Sequence, residues 1–167
     1  MPHPAVPAVG DPMPDLVLIG PDGRRATLSE VTAGRRAIVL FMRTSTCPVC
    51  LAHAAEIERL IDAGTITDAA FVLVPPGGAD EAATAETRAR ARSGAAMRAE
   101  VRASGTEHGS VGLGRFLGLQ HSGTFILAAD GRILAVRTSV LPTGAFSRDE
   151  AIAALSPATL PSPPDRG

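Results

Sequence analysis

Short apolar runs separated by turn residues recur along the chain and predict β-strands. The run Ala37–Phe41 (AIVLF) is uninterrupted, which is typical of a strand buried on both faces of a sheet. Phe71–Val74 has the same character and is stopped by a Pro-Pro-Gly-Gly sequence. Leu16–Ile19 is shorter, and the turn signal Pro21-Asp22-Gly23 allows Arg24–Leu28 to pair back onto it. These residues predict a hairpin near the start of the chain.

Three further segments have the pattern of strands. Thr124–Ala129 and Arg132–Thr138 flank Asp130-Gly131, which is the strongest short hairpin signal in the sequence. Between Met97 and Arg102, apolar and charged residues alternate with a period of two. That alternation predicts a half-buried or edge strand.

Helical spacing and capping residues predict helices at four places. One begins near Pro48 and ends before Gly64. Proline is common just inside the start of a helix and glycine just past its end. Residues 80–92 are rich in helix formers, but their only apolar side chains are alanines, so this helix should be peripheral. Residues 110–117 predict a short helix capped by its serine. Ser147–Leu155 predicts a last helix, with a glutamate three residues after the capping serine.

The alternation of these elements predicts a single α/β domain with a mainly parallel sheet and antiparallel edges. A chain of 167 residues suits one such domain. Prolines crowd residues 1–14, which we expect to form an extended arm before a domain at 15–155. Residues 156–167 are rich in Pro and Ser and predict a disordered tail.

Composition and charge exclude several classes of protein. Hydrophobic residues make up 45% of the chain, which is enough for a buried core. The formal net charge of −1 argues against nucleic acid as a partner. All 16 basic residues are arginine, so a lysine nucleophile or Schiff base is excluded. The N-terminus has no signal-peptide pattern, and no stretch is long and apolar enough for a membrane span, so we expect a cytoplasmic protein without membrane partners.

Cys47 and Cys50 are the only cysteines, and they form a C-x-x-C motif between a predicted strand and a predicted helix. This placement is typical of dithiol redox chemistry. Cys47 falls at the first turn of the helix, where free N–H groups and the helix dipole favour a thiolate nucleophile. Cys50 lies one turn further on and is the expected resolving thiol. Pro48 fits the first turn because its missing N–H would have no helical partner.

A zinc site and an inert pair of core cysteines are the alternatives to a redox pair. Cys47, Cys50 and His53 could supply three zinc ligands, with His108 or His121 as the fourth. Structural zinc sites usually use two paired-ligand knuckles, however, and the sequence has no second pair. We therefore predict no metal and no cofactor, because sulfur can carry the chemistry.

Two ionisable side chains next to the cysteines have two interpretations each. Arg43 lies in the loop before Cys47 and could stabilise its thiolate, or it could be a surface arginine at the end of a strand. His53 lies three residues after Cys50, on about the same helix face. It could tune Cys50 or shuttle a proton, or it could be a partly exposed helix residue.

The segment from Phe41 to Cys50, called the cysteine loop below, and both ends of the domain resemble the thioredoxin-like superfamily. The resemblance is to redoxins of the alkyl hydroperoxide reductase/thiol-specific antioxidant type, including peroxiredoxin-like proteins. Residues 10–18 with Asp22-Gly23 are similar to the opening of that family, and residues 124–133 resemble its hairpin. Thr44-x-x-Cys47-Pro48 matches the peroxiredoxin core, and Cys47-Pro48-Val49-Cys50 also matches the motif of thioredoxin-type reductases.

The resemblance implies a thioredoxin-like fold, in which helices flank a central mixed β-sheet and a β-hairpin extends the N-terminus. It implies an antioxidant thiol–disulfide oxidoreductase in which the hydroxyl of Thr44 helps to position a peroxide. Ser122, Gly123 and Thr124 would line the pocket. The substrate would be a peroxide or a protein disulfide, and the reductant an external thiol donor of the thioredoxin or glutathione kind. A homodimer is one assembly that such relatives form.

The chain departs from both branches of this family. Peroxiredoxins carry a proline where Leu40 stands and an arginine near Ser122, whereas thioredoxins carry a cis-proline at the position of Gly123 and a tryptophan at that of Thr46. Thr44 favours peroxidase activity, whereas the missing proline at Leu40 and the missing arginine near Ser122 argue against it. A redox sensor or binding module, which would switch a partner without turnover, is the second class of function.

Overall fold

The computed structural model describes residues 5–94, 96–105, 107–116 and 119–156. Apart from Ser156, the predicted C-terminal tail lies outside these residues, as does the beginning of the arm. The later part of the arm is held by backbone hydrogen bonds to the second half of the chain. The N–H of Gly10 donates to the carbonyl of Ile133, and the N–H of Met13 donates to that of Gly131.

The N-terminal hairpin forms as predicted. Strand β1 (Val17–Ile19) pairs antiparallel with β2 (Arg25–Thr27), so that Val17 lies opposite Thr27. Gly23 closes the turn between them with a φ of 81°, in the left-handed region that favours glycine.

The helix that follows, α1 (Leu28–Thr32), is absent from the sequence prediction, which extended the strand to Leu28. Thr27 and Glu30 form a capping box. The N–H of Thr27 donates to the Glu30 carboxylate at 2.7 Å, and the N–H of Glu30 donates to the Thr27 hydroxyl at 3.3 Å. The sequence Thr-x-x-Glu was the available signal for this helix start.

A mixed sheet forms the centre of the molecule. Its strands are β3 (Arg36–Phe41), β4 (Ala69–Val74), β5 (Glu100–Val101), β8 (Ser122–Leu127) and β9 (Ile133–Ser139). The parallel strands β3, β4 and β5 lie beside the antiparallel hairpin of β8 and β9, in the order β5-β4-β3-β8-β9. A short separate pair, β6 (Arg115–Phe116) and β7 (Leu119–Gln120), precedes β8.

The sheet is mixed, as the resemblance implied: the parallel strands β3, β4 and β5 form one side, and the antiparallel hairpin of β8 and β9 forms the other. The register pairs Phe41 with Gly123, so β8 begins at the end of the sheet where β3 finishes. The chain stays at this end after β5 and enters β8 without crossing the sheet. A parallel neighbour would have required such a crossover.

Two cores cover the two faces of the sheet. Helices α2 (Pro48–Asp62), α3 (Ala79–Ser93) and α4 (Arg148–Leu155) contribute to the core on the face of Ile38 and Leu40. The hairpin and α1 pack on the opposite face with Val39 and Phe41. As predicted, α3 buries only alanines, and the Ser147 hydroxyl caps α4 by accepting from the N–H of Glu150. Among the described residues, no helix is long and apolar enough to cross a membrane.

One predicted helix is wrong, and one predicted edge strand is shorter than expected. Instead of a helix over 110–117, the chain makes a 3-10 turn at Glu107–Val111 and then β6. Gly112 has a φ of 75°, which no continuing helix tolerates. The strand predicted over residues 97–102 is reduced to β5. The N–H groups of Arg98 and Ala99 donate instead to the buried carboxylate of Glu58 on α2.

We expect Glu58→Ala to lower the free energy of unfolding by about 2–4 kcal/mol, because it removes the buried carboxylate that accepts from the N–H groups of Arg98 and Ala99. The Glu58 carboxylate is 4% exposed and accepts from Ala99 at 2.8 Å. The matched control on the same helix is Glu56→Ala, which removes exposed ion pairs with Arg59 and Arg148 and should cost at most about 1 kcal/mol. Urea denaturation measures both variants, and equal losses would contradict the role of Glu58.

Candidate active site

The cysteine loop lies at the end of the buried strand β3. The N–H of Met42 still donates to the carbonyl of Val74 on β4, and the N–H of Cys47 donates to the carbonyl of Thr44. The chain then enters α2, with Cys47 as the N-cap residue and Pro48 in the first turn. The Cys47 sulfur accepts from the N–H of Cys50 at 3.2 Å, so it takes the place of the hydroxyl or carboxylate that usually caps a helix.

Several donors lower the pKa of Cys47 to about 6. The largest cause is the hydrogen bond from the Cys50 thiol. The N–H groups of Cys50 and Val49 and the positive charge of Arg43 act in the same direction, while burial opposes them. The side chain is 6% exposed. Cys47 is therefore largely a thiolate at pH 7.

Cys50 has the opposite character. Its hydrogen bond to Cys47 is the largest cause that raises its pKa, and burial acts in the same direction. It is 1% exposed, and its sulfur accepts from the N–H of Arg43 at 3.4 Å, a contact that lowers the pKa. Both residues are free thiols. The pair thus combines a thiolate at the helix start with a protonated thiol one turn inside.

The other predicted residues of the loop and helix lie around this pair in different ways. Arg43 is close enough for its charge to act on Cys47, and its backbone contacts Cys50. Thr44 is half-buried and contributes its carbonyl oxygen to the turn. The ring centroid of His53 lies 5.6 Å from that of Phe146. Burial lowers the pKa of His53.

Ser122, Gly123 and Thr124 begin strand β8, which pairs with the end of β3 from which the cysteine loop leaves. Thr124 donates to the carbonyl of Ala145 at 2.6 Å. A Cβ on Gly123 would lie 2.9 Å from the carbonyl oxygen of Arg137, so glycine is required by the close approach of β9. The Ser122 hydroxyl is buried and has no hydrogen-bond partner among the described residues. Consecutive residues of a strand point to opposite faces of the sheet, so Ser122 and Gly123 face different sides. Ser122 faces the side that carries α2.

Sequence reasoning considered His108 only as a zinc ligand and missed its place beneath the cysteine loop. Its ring is 1% exposed, and burial lowers its pKa to about 4. Nε2 lies 3.1 Å from the carbonyl oxygen of Met42, and Nδ1 is hydrogen-bonded to the Ser104 hydroxyl. Both ring nitrogens thus have protein partners. Across the described part of the chain, no group of three or more His, Cys, Asp or Glu side chains could hold a metal ion.

Alkylation of Cys47 should rise with pH about a midpoint near 6, because the thiolate reacts and the thiol does not. The rate is low below this pH and reaches a plateau above it. In Cys50→Ala the midpoint should move up towards the ordinary thiol value, because the largest cause of the lowered pKa is lost. Iodoacetamide labelling with mass spectrometry measures both midpoints. A wild-type midpoint above about pH 8 would contradict this arrangement.

The chain and its fold are similar to known proteins. The Redoxin family model matches residues 8–155. The structure resembles the peroxidoxin BcpB of Mycobacterium tuberculosis, with 23% identity, a TM-score of 0.64 and coverage of 88% of this chain and 95% of that one. It also resembles a peroxiredoxin-like protein from Aquifex aeolicus, with 16% identity, a TM-score of 0.71 and coverage of 92% and 88%.

A thiol peroxidase from Chromobacterium violaceum is a third structural neighbour, with 16% identity, a TM-score of 0.71 and coverage of 90% of this chain and 86% of that one. At such identities, these likenesses establish the thioredoxin-like fold. A search of curated proteins found no match.

Proposed function

The chain belongs to the Redoxin family, and on that premise we propose that Cys47 and Cys50 form the redox pair of a thiol peroxidase acting on small hydroperoxides. Membership in this family makes the protein an oxidoreductase whose chemistry is carried by a thiol. The observation that carries the finer proposal is the pairing of a Cys47 thiolate with the protonated thiol of Cys50. The exposed fraction of Cys47, 6%, favours a small substrate over the disulfide of a folded protein.

The oxidation consists of two steps, and each sulfur is the nucleophile in one of them. The Cys47 thiolate attacks one peroxide oxygen and breaks the O–O bond. Cys47 becomes a sulfenic acid, and the leaving alkoxide takes up a proton to give an alcohol. Cys50 then loses its proton and attacks the Cys47 sulfur, which forms the Cys47–Cys50 disulfide and releases water. Two external thiols reduce the disulfide and are themselves oxidised to a disulfide.

Neighbouring residues would support these steps. The charge of Arg43 stabilises the thiolate, and Pro48 starts α2 without an unpaired N–H. The Ser122 hydroxyl, which has no partner among the described residues, can donate to the peroxide oxygen together with Thr44. Gly123 and Thr124 hold β8 against β9 and against the segment of Ala145.

The test is to add one equivalent of hydrogen peroxide to the reduced protein at pH 7 and follow thiol loss by quenching and mass spectrometry. The larger thiolate fraction raises the reactivity of Cys47 about 30-fold over that of free cysteine, and the lower nucleophilicity of a low-pKa thiolate reduces this gain about tenfold, which leaves about threefold. A peroxidase should exceed this threefold factor clearly, and its product should lack two hydrogen atoms. In Cys50→Ser, the product should instead gain one oxygen atom. A rate at or below about three times that of free cysteine would contradict peroxide activation.

Thiol–disulfide exchange is the second candidate, and the C-x-x-C spacing, with the Cys50 thiol hydrogen-bonded to the Cys47 sulfur, favours it. A slow reaction with peroxide together with rapid reduction of a protein disulfide would identify this activity. A redox sensor would form the same disulfide without multiple turnovers in the presence of a thiol reductant. The homodimer and the cytoplasmic location stay predictions.

A further inference from the structure

The peptide group between Met42 and Arg43 is hydrogen-bonded on both sides. His108 Nε2 lies 3.1 Å from the carbonyl oxygen of Met42, and the N–H of Arg43 donates to the Cys50 sulfur at 3.4 Å. The carbonyl and the N–H belong to one planar amide, in which they point in opposite directions. This amide therefore connects the buried histidine to the thiol of Cys50.

The partners of His108 determine where its proton lies. The Met42 carbonyl can only accept, so Nε2 must carry the hydrogen. In the neutral ring Nδ1 is then an acceptor, and the Ser104 hydroxyl donates to it. Burial keeps the ring neutral, since it lowers the pKa of His108 to about 4. The edge-on contact with Phe41, at 4.9 Å between ring centroids, holds the ring in place.

We propose that His108 is a positioning residue of the redox pair, which orients and polarises the Met42–Arg43 peptide and thereby speeds the attack of Cys50 on oxidised Cys47. The proposal rests on the resolving role of Cys50 described above. It assigns a purpose to a buried histidine that touches neither sulfur.

The effect follows from cooperativity between hydrogen bonds. A donor at the carbonyl oxygen makes the N–H of the same amide a stronger donor. The Arg43 N–H already lowers the pKa of Cys50, so its strengthening increases the thiolate fraction. A tenfold gain in the thiolate fraction of Cys50 lowers the nucleophilicity of that thiolate about threefold, so the rate of its attack on Cys47 rises about threefold. The fixed amide plane also holds the Cys50 sulfur in one position for attack.

The two chemical steps can be separated with dithiobis-nitrobenzoate, a small disulfide that releases a coloured thiolate. Attack by Cys47 forms a mixed disulfide and releases the first thionitrobenzoate anion. Attack by Cys50 on the Cys47 sulfur then forms the intramolecular disulfide and releases the second, while the proton of Cys50 goes to solvent. Stopped-flow absorbance records the two phases without any peroxide.

Two substitutions distinguish donation from packing. His108→Leu removes the donor, and we expect the second phase to slow about threefold while the first changes less than twofold. His108→Gln keeps an N–H that reaches the Met42 carbonyl and should restore the second phase to within twofold of the wild type. The inference is overturned if both phases slow equally, if the second is unchanged in His108→Leu, or if His108→Gln is equally slow.

A measurement on the unchanged protein covers the case in which His108→Leu does not fold. Nitrogen NMR of the labelled imidazole should show a neutral ring protonated at Nε2 at pH 7. A proton on Nδ1, or a charged ring, would overturn the inference. If the wild type shows no second phase, both the resolving role and the inference fail. A normal second phase with slow peroxide reduction would instead contradict the peroxidase alone.

Discussion

Cys47→Ser should lower the rate of thiol-dependent reduction by about 10³-fold or more, because a serine hydroxyl stays protonated and is a poor nucleophile at neutral pH. The fold should survive the change. Serine is a favourable N-cap residue, and its oxygen can accept from the Cys50 N–H that now donates to sulfur. Peroxide consumption with an excess of a small dithiol measures the loss, and the thermal unfolding midpoint verifies the fold.

Cys50→Ser is the matched control for this prediction. It should keep the first reaction of Cys47 with one equivalent of peroxide and lose only the intramolecular disulfide. The two variants therefore differ in the step at which the reaction stops, although each removes one sulfur. Substantial turnover by Cys47→Ser, or a Cys50→Ser variant as inert as Cys47→Ser, would show that the nucleophile has been assigned to the wrong cysteine.

Phe125→Ala should lower the free energy of unfolding by about 3–5 kcal/mol, a large part of the stability of a typical domain. The Phe125 side chain is fully buried on β8, and its ring meets that of Phe41 edge-on at 5.5 Å between centroids. The substitution removes this contact and leaves a cavity between the sheet and the N-terminal hairpin. The midpoint of urea denaturation, at constant slope, measures the change.

Leu141→Ala provides the control for Phe125→Ala. The Leu141 side chain is 63% exposed, so its truncation removes little buried surface and should change stability by less than about 0.5 kcal/mol. If both variants were equally stable, the face of the sheet that carries Phe41 and Phe125 would not be the packed core that the structure describes.

The elements predicted correctly depend on neighbouring residues in the chain. The continuous apolar run of β3, the Asp130-Gly131 turn between β8 and β9, and the Pro48 start of α2 are all local signals. Each has a physical cause within a few residues: burial on both faces, a backbone that tolerates a positive φ, or a helix start that needs no N–H. The capping box of α1 was equally local and was overlooked.

The wrong predictions failed because distant groups compete for the backbone. The alternation of residues 97–102 favours a strand, but Glu58 on α2 takes the N–H groups of Arg98 and Ala99. Whether β8 runs parallel or antiparallel to β3, which the resemblance implies and the periodicity does not, likewise depends on the end at which the chain enters β8. The periodicity of a segment carries no information about the distant groups that bind its backbone or lie beside it in the sheet.

The juxtaposition of Cys47 and Cys50 is determined by the sequence. Two cysteines three residues apart at a helix start must lie within one turn, so Cys47 faces free N–H groups and Cys50 faces Cys47 whatever surrounds them. The environment of this pair is decided by the tertiary structure. Sheet register brings Ser122 to the cysteine loop, and packing brings His108 to Met42, 66 residues away. Spacing along one helix is set by helical geometry, whereas contacts between distant segments exist only once the sheet order and the cores have formed.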